Sequence, residues 1–253
     1  MLKEKNLPHG DIQVIITAGE ESGLVGAKAL DPKHMKAKYG FSLDTGGKVG
    51  KISTQAPARY SVTANVYGKS AHAGVAPETG ISAVVIAAKA IANMPLGRID
   101  SETTANIGII QGQSPLNVVC DHVLVSAEAR STDNGKLDAQ IKAMTDAFTK
   151  AAEEMGGKAE VSVEIYYKSF KLGEDTPVVD VAKRALTKVG RPYKISGGGG
   201  GSDGNIFNGH GVPTVVLACG YEDCHTKQER LSIEELNKSA ETVLAIISEV
   251  ASA

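Results

Sequence analysis

The chain has 253 residues, long enough for one large domain or two ordinary ones around a sizeable core. Its hydrophobic content of 42% and charged content of 22% are those of a soluble globular protein, and 27 basic against 29 acidic residues leave no global field, which excludes nucleic acid and anionic membrane as partners. No apolar run reaches the roughly 18 to 20 residues of a membrane span, "MLKEKNLPHG" is too polar for a signal peptide, and Cys120, Cys219 and Cys224 make no disulfide framework, so a reducing cytoplasm is the expected compartment.

In chain order, residues 12–17 alternate β-branched and apolar types and predict a strand, while 21–30 carry small and apolar residues at helical spacing and predict a helix. "YGFSLDTGG" and "KVGKIST" predict two short strands around a glycine turn at Gly46 and Gly47. The pattern breaks at "QAPA", residues 55–58, where a domain boundary is expected. From Arg59 to Phe170 the pattern predicts a strand at 59–67, a helix at 80–94, strands at 104–110 and 122–130, a helix at 134–155 and a strand at 159–167. This βαββαβ succession is that of a ferredoxin-like split βαβ sandwich, one sheet with two helices on one face. Beyond it, "TPVVDVAKRALTKVG" predicts a helix closed by Gly190, "TVVLACG" a buried strand, and "LSIEELNKSAETVLAIISEVASA" a long amphipathic helix with a serine near its start. The outer segments, 1–56 and 171–253, alternate strands and helices and are expected to form one α/β domain, interrupted by an insert at 57–170.

"AGEESGLVG" sets Glu20 and Glu21 side by side where the predicted strand hands over to the helix. One account is structural, since acidic residues in a helix's first turn favour its macrodipole. The other is chemical: Asp44 ends "FSLD" and His225 follows "TVVLACG" in "GYEDCHTKQE", so all these residues lie at the carboxyl ends of predicted strands, where open α/β sheets place ligand sites. One Glu, one Asp and one His suit zinc, and the second Glu is left as a base on metal-bound water, with neighbouring cations keeping both carboxylates ionised. His72, in "YGKSAHAGVAPETG", is either a solvated loop histidine or a donor to a developing oxyanion. Arg130, in "VLVSAEARS", is either an exposed strand terminus or a carboxylate clamp, and Asn117, in "SPLNVV", either a turn residue or a binding one.

Other motifs are discounted. "YGKS" has Thr63 where a phosphate-binding loop needs glycine, and Gly199, Gly201 and Gly204 fit a dinucleotide fingerprint without the βαβ order it requires. The glycine run ending in "SDGNIF" instead lets backbone approach a ligand. Cys224 reads as a free thiol without a CxxC partner. His9 and Asp11 precede the strand whose far end carries Glu20, and a rise of about 3.3 Å per residue separates them from it by roughly 20 Å, so they are rejected as ligands.

Taken in order, "AGEESGLVGAKALD", "SLDTGG", "GKSAHAGVAPETGISA", "NVVCDHV", "EARS", "GGGSDGNIFN" and "CHTKQE" resemble the zinc-dependent exopeptidase and deacylase family that includes peptidase T, carboxypeptidase G2, aminoacylase and succinyl-diaminopimelate desuccinylase, most of all its peptidase T-like branch. The resemblance covers essentially the whole chain. It implies Glu20 as general base, Glu21 and His225 as ligands of one zinc and Asp44 of a second, with cobalt or manganese as alternative metals. It implies His72 as a lid histidine that reaches into a partner subunit's site to polarise the scissile carbonyl, and Asn117, Arg130, Ser202, Asp203 and Asn205 as substrate-binding positions. The insert corresponds to the family's lid and dimerisation domain, so a homodimer is implied. The implied substrate is a short peptide, with an N-acyl amino acid for an amidase or deacylase on the same scaffold. A dimerising or binding protein without a working centre is the reading from another class.

The chain departs from the family in two places. Family members begin with a further stretch that carries an H-x-D motif and the aspartate bridging the two metals; neither motif appears here, so the chain resembles a member with its N-terminal portion removed. Glu21, Asp44 and His225 are then expected to make one poor metal site, short of a complete two-metal centre. Cys120 stands where proline is usual in the family.

Overall fold

The computed structural model describes residues 2 and 4–252. In chain order these form α1 (Val25–Ala29), β1 (Gly40–Thr45), β2 (Lys51–Ala56), β3 (Ala58–Tyr67), α2 (Ala83–Ala92), β4 (Gly97–Arg98), β5 (Thr103–Gln111), β6 (His122–Ser131), α3 (Asn134–Glu154), β7 (Lys158–Tyr167), β8 (Phe170–Lys171), α4 (Pro177–Lys188), β9 (Lys194–Gly197), α5 (Asp203–Gly209), β10 (Thr214–Ala218), β11 (Tyr221–Glu222), β12 (Arg230–Leu231) and α6 (Ile233–Ala251). One unit spans Pro57–Ser169; the other joins the chain up to Ala56 with the chain from Phe170 onward.

In the first of these units every neighbouring pair of strands is antiparallel, in the order β4-β5-β6-β3-β7. The period of two sorts the side chains: Val62, Ala64 and Val66 of β3 and Val123, Val125 and Ala129 of β6 are buried against the helices, while Arg59, Ser61, Thr63 and Asn65 lie on the other face. On α3 the buried residues Leu137, Ile141, Met144, Phe148 and Ala151 recur at three- and four-residue spacing, which makes one apolar stripe. Ser82 and Asp133 cap α2 and α3 by accepting the amides of Val85 and Lys136. This is the βαββαβ sandwich.

In the other unit the sheet runs β1-β10-β2-β8, with β9 also paired to β2. β1 and β10 are parallel, so their carboxyl ends lie side by side. Val215 and Leu217 of β10 pack with α4 and α6 through Val178, Val179, Leu186 and Ile246, whereas Val216 turns to the opposite face with Ala56 and Phe170. α5 covers that opposite face: a Cβ at Gly204 would lie 2.9 Å from Val216 Cγ2, so only glycine lets the helix come so close. Helices on both faces make this an α/β layer unit.

Three sequence expectations are corrected. Residues 12–17 form no ladder, although their pattern is that of a strand; no described strand lies alongside to accept the pairing, and Val14 and Ile16 are 78% and 92% exposed. The helix expected at 21–30 shrinks to α1, because Gly23 (φ 98°) and Leu24 (φ 61°) hold left-handed conformations that delay its start. Its first turn contains no acidic residue, so the macrodipole account of Glu20 and Glu21 fails. The segment after the glycine run is helical: Ser202 and Asn205 form a reciprocal capping box that starts α5, a signal hidden in "GGGGGSDGNIF" by its loop-like composition.

Candidate functional site

The acidic pair sits on a tight turn between the extended segment and α1. Gly19 (φ 69°) opens the turn, and the Glu20 carbonyl accepts the amides of Gly23 (3.1 Å) and Leu24 (2.9 Å). Asp44 owes its aim to an irregularity: the β1–β10 register passes from Leu43↔Leu217 to Thr45↔Ala218, which leaves Asp44 as the extra residue of a bulge. Bulges re-aim side chains in this way, often beside active sites. From the end of β10 the chain leads through β11 into a turn in which Asp223 (φ 55°) and His225 (φ 63°) are both left-handed, and the His225 amide donates to Glu229 Oε2 at 3.1 Å.

These elements bring part of the expected set together. Glu21 Oε1 and His225 Nε2 lie 2.9 Å apart, both side chains largely exposed. Glu20 is pushed up from 4.5 to about 7, first by burial and then by the negative charges of Asp44, Glu21 and Asp203, with His225 acting against them. Asp44 is pushed up to about 6 by burial, then by Asp203 and Glu21, again opposed by His225. A group of carboxylates that repel one another in this way calls for positive charge, and the oxygen and imidazole donors suit zinc. Their arrangement falls short: among the described residues no three His, Cys, Asp or Glu side chains are grouped to hold a metal ion.

Ser202, Asp203 and Asn205 are all buried. The Ser202 hydroxyl accepts the Gly204 amide at 3.2 Å, the Ser202 amide donates to Asn205 Oδ1 at 3.0 Å, and the Thr17 hydroxyl donates to Asp203 Oδ2. Thr17, one hydroxyl at the end of an apolar run, carries no signal in the sequence. Tyr221 carries no such signal either: burial and then the charge of Asp44 hold its phenol above the usual range, so it is a neutral O–H donor beside the carboxylates. A cavity of about 660 Å³ is lined by Val14, Ile16, Phe41 and Ile246 together with Glu20, Asp44 and Asp203.

His72, Asn117 and Arg130 belong to the unit Pro57–Ser169. The Ala73 amide donates to the Asn117 carbonyl at 2.8 Å and His72 bridges Val118, so the loops carrying His72 and Asn117 are pinned together. His72 Nδ1 accepts the Gly74 amide at 3.2 Å, which leaves Nε2 as the ring nitrogen that donates. Arg130 grips Glu128 with both arms of its fork, at 2.8 and 3.3 Å, and Arg59 Nε reaches the same carboxylate at 2.8 Å. Burial pushes Glu128 up, but the two guanidinium groups outweigh it and hold the carboxyl below its ordinary value.

Comparison with known proteins places this architecture. Residues 57–156 match the peptidase dimerisation domain of the M20 family. The uncharacterized protein YqjE of Bacillus subtilis (strain 168) is 56% identical over 251 residues, 99% of this chain and 68% of that protein. The chain belongs to this peptidase family. The crystal structure of aminopeptidase PepT from Bacillus cereus is 59% identical and superposes with a TM-score of 0.93, over 99% of this chain and 67% of that one. A tripeptidase structure from Staphylococcus aureus is 46% identical with a TM-score of 0.96, over 100% of this chain and 67% of that one. These two likenesses put the chain in the family's peptidase T-like branch, and it spans about two thirds of the length of each relative.

Proposed function

We propose that the chain carries acid–base and metal-ligating residues of a metal-dependent hydrolase that cleaves short peptides in the manner of a tripeptidase. The observation that carries this reading is Glu20: a carboxyl pushed up to about 7, adjacent to the Glu21–His225 pair and within the field of Asp44. A carboxyl poised near neutrality takes a proton from an attacking water and returns it to the leaving amine with little energetic penalty in either direction. Glu21 and His225 would hold one metal ion and Asp44 a second; zinc, or cobalt or manganese, would supply Lewis acidity when bound. A working centre needs about three protein ligands per ion, more than these side chains provide, so the proposal requires ligands beyond them and no step is derived through the metal.

Nε2 of His72 is a donor suited to a developing oxyanion, and the dimerisation domain supports a homodimer in which His72 of the partner subunit meets the substrate. The Arg130–Glu128–Arg59 cluster carries a net positive charge and favours a substrate with a free carboxylate, whether peptide or N-acyl amino acid. The absence, among the described residues, of a three-ligand group supports one second reading, a dimerising protein without turnover.

The test is zinc content per chain after purification without chelator, with hydrolysis of a tripeptide and of an N-acyl amino acid followed on the same sample. Bound zinc with tripeptide cleavage is expected. Cleavage of the acyl substrate alone would transfer the assignment to an amidase, and neither zinc nor turnover would favour the second reading.

A further inference from the structure

We infer that Asp203 is a positioning residue for Glu20, acting through the Thr17 hydroxyl; this rests on the acid–base role proposed for Glu20. The segment 11–17 has no ladder to hold it, yet it delivers the chain to the turn that carries Glu20. Its side-chain anchors are Gln13, which bonds the His34 carbonyl and the Lys36 amide, and Thr17, which bonds Asp203. Thr17 is the last of these before the turn, three residues ahead of Glu20. The next tie is a backbone one, from the Gly26 amide to the Ala18 carbonyl at 2.8 Å, which closes the turn onto α1.

Asp203 is a rigid anchor. It is the first residue of α5, whose start is set by the Ser202–Asn205 box, and α5 is fastened to β10 by Asn208. The Asn208 amide nitrogen donates to the carbonyls of Gly204 and Thr214, both at 2.8 Å, and its oxygen accepts the Thr214 amide at 3.1 Å. β10 in turn is paired in parallel with β1, which carries Asp44. The hydroxyl of Thr17 therefore ties the turn bearing Glu20 to the part of the sheet that presents Asp44.

Asp203 is also a poor choice on stability grounds. It is only 7% exposed, and its Oδ1 is buried with no hydrogen-bond partner among the described residues. A carboxylate half satisfied in a buried place, facing other carboxylates, is an arrangement that folding alone disfavours. Asn would accept the Thr17 hydroxyl equally well, so the tie depends on the acceptor oxygen at this place and not on its charge.

The experiment is amide hydrogen exchange on the whole chain, free of metal, with the ring nitrogens of His225 followed by NMR. Thr17→Val and Asp203→Ala are expected to speed exchange of the Gly23, Leu24 and Gly26 amides about tenfold and to shift His225, which senses Glu21, while the β10 amides stay protected. Thr17→Ser should restore both readouts, and Asp203→Asn should keep the exchange slow. Unchanged exchange in Thr17→Val, or an equal rise in β10, would overturn the inference. Tripeptide hydrolysis by the zinc-loaded wild type is a separate arm: its failure would remove the proposed function and leave the exchange result to decide the Thr17–Asp203 tie.

Discussion

Replacing Glu20 by Gln keeps the shape of the side chain and removes its charge, so its effect on stability reads the electrostatics of the site. Folding raises the carboxyl from 4.5 to about 7, chiefly by burial and then through Asp44, Glu21 and Asp203. Between these values the folded chain retains a proton that the unfolded chain has released. The favourable contribution of the neutral form is therefore fully present below about pH 4.5 and is lost as the pH rises through 7. The interval corresponds to a ceiling of about 3 kcal/mol; solvent contact at this partly exposed side chain reduces the expected effect to about 1 kcal/mol. Glu20→Gln should accordingly be more stable than wild type by about 1 kcal/mol near pH 8 and equal to it near pH 4. Urea denaturation of metal-free protein at the two pH values measures the difference. Equal stability near pH 8, or the same gain at both, would refute the reasoning.

Zinc should offset the same repulsion: near pH 8 a slight excess is expected to raise Tm by several degrees, and the rise should vanish in Glu21→Ala and in His225→Ala. An equal rise in those variants would remove them from the ligand set. Phe148→Ala empties a fully buried position on α3 and is expected to cost about 3 to 5 kcal/mol in urea denaturation; a loss below about 1 kcal/mol would contradict the packing described. β7 is an edge strand that exposes Val163 (44%) and Ile165 (51%), so the double change Val163→Asp and Ile165→Asp should convert the proposed homodimer to a monomer in sedimentation velocity. A dimer that survives it would place the contact on another face.

The parts of the fold legible in the sequence are those whose periodicity and partner lie within the same stretch. In the βαββαβ unit β3 and β6 alternate cleanly and every strand finds its neighbours within the unit, so pattern and pairing agree. Residues 12–17 show the limit of that logic: alternation reports which face a strand would bury, and pairing depends on a neighbour that the pattern does not contain. α5 shows the converse, since Ser202, Asp203, Gly204 and Asn205 have loop-like composition, yet a cap needs those same side chains to satisfy the first amides of a helix. At the site, strand ends were enough to single out Asp44 and His225, but no spacing rule announces the bulge that aims Asp44 or the Thr17 hydroxyl that meets Asp203. Both arise from contacts 186 and 174 residues apart along the chain, Thr17 to Asp203 and Leu43 to Leu217, and a one-residue bulge or a single hydroxyl leaves no periodic trace. The adjacency of Glu20 and Glu21 is legible in the sequence; what long-range folding brings opposite them, His225 against Glu21 and the carboxyls of Asp44 and Asp203 around Glu20, is not.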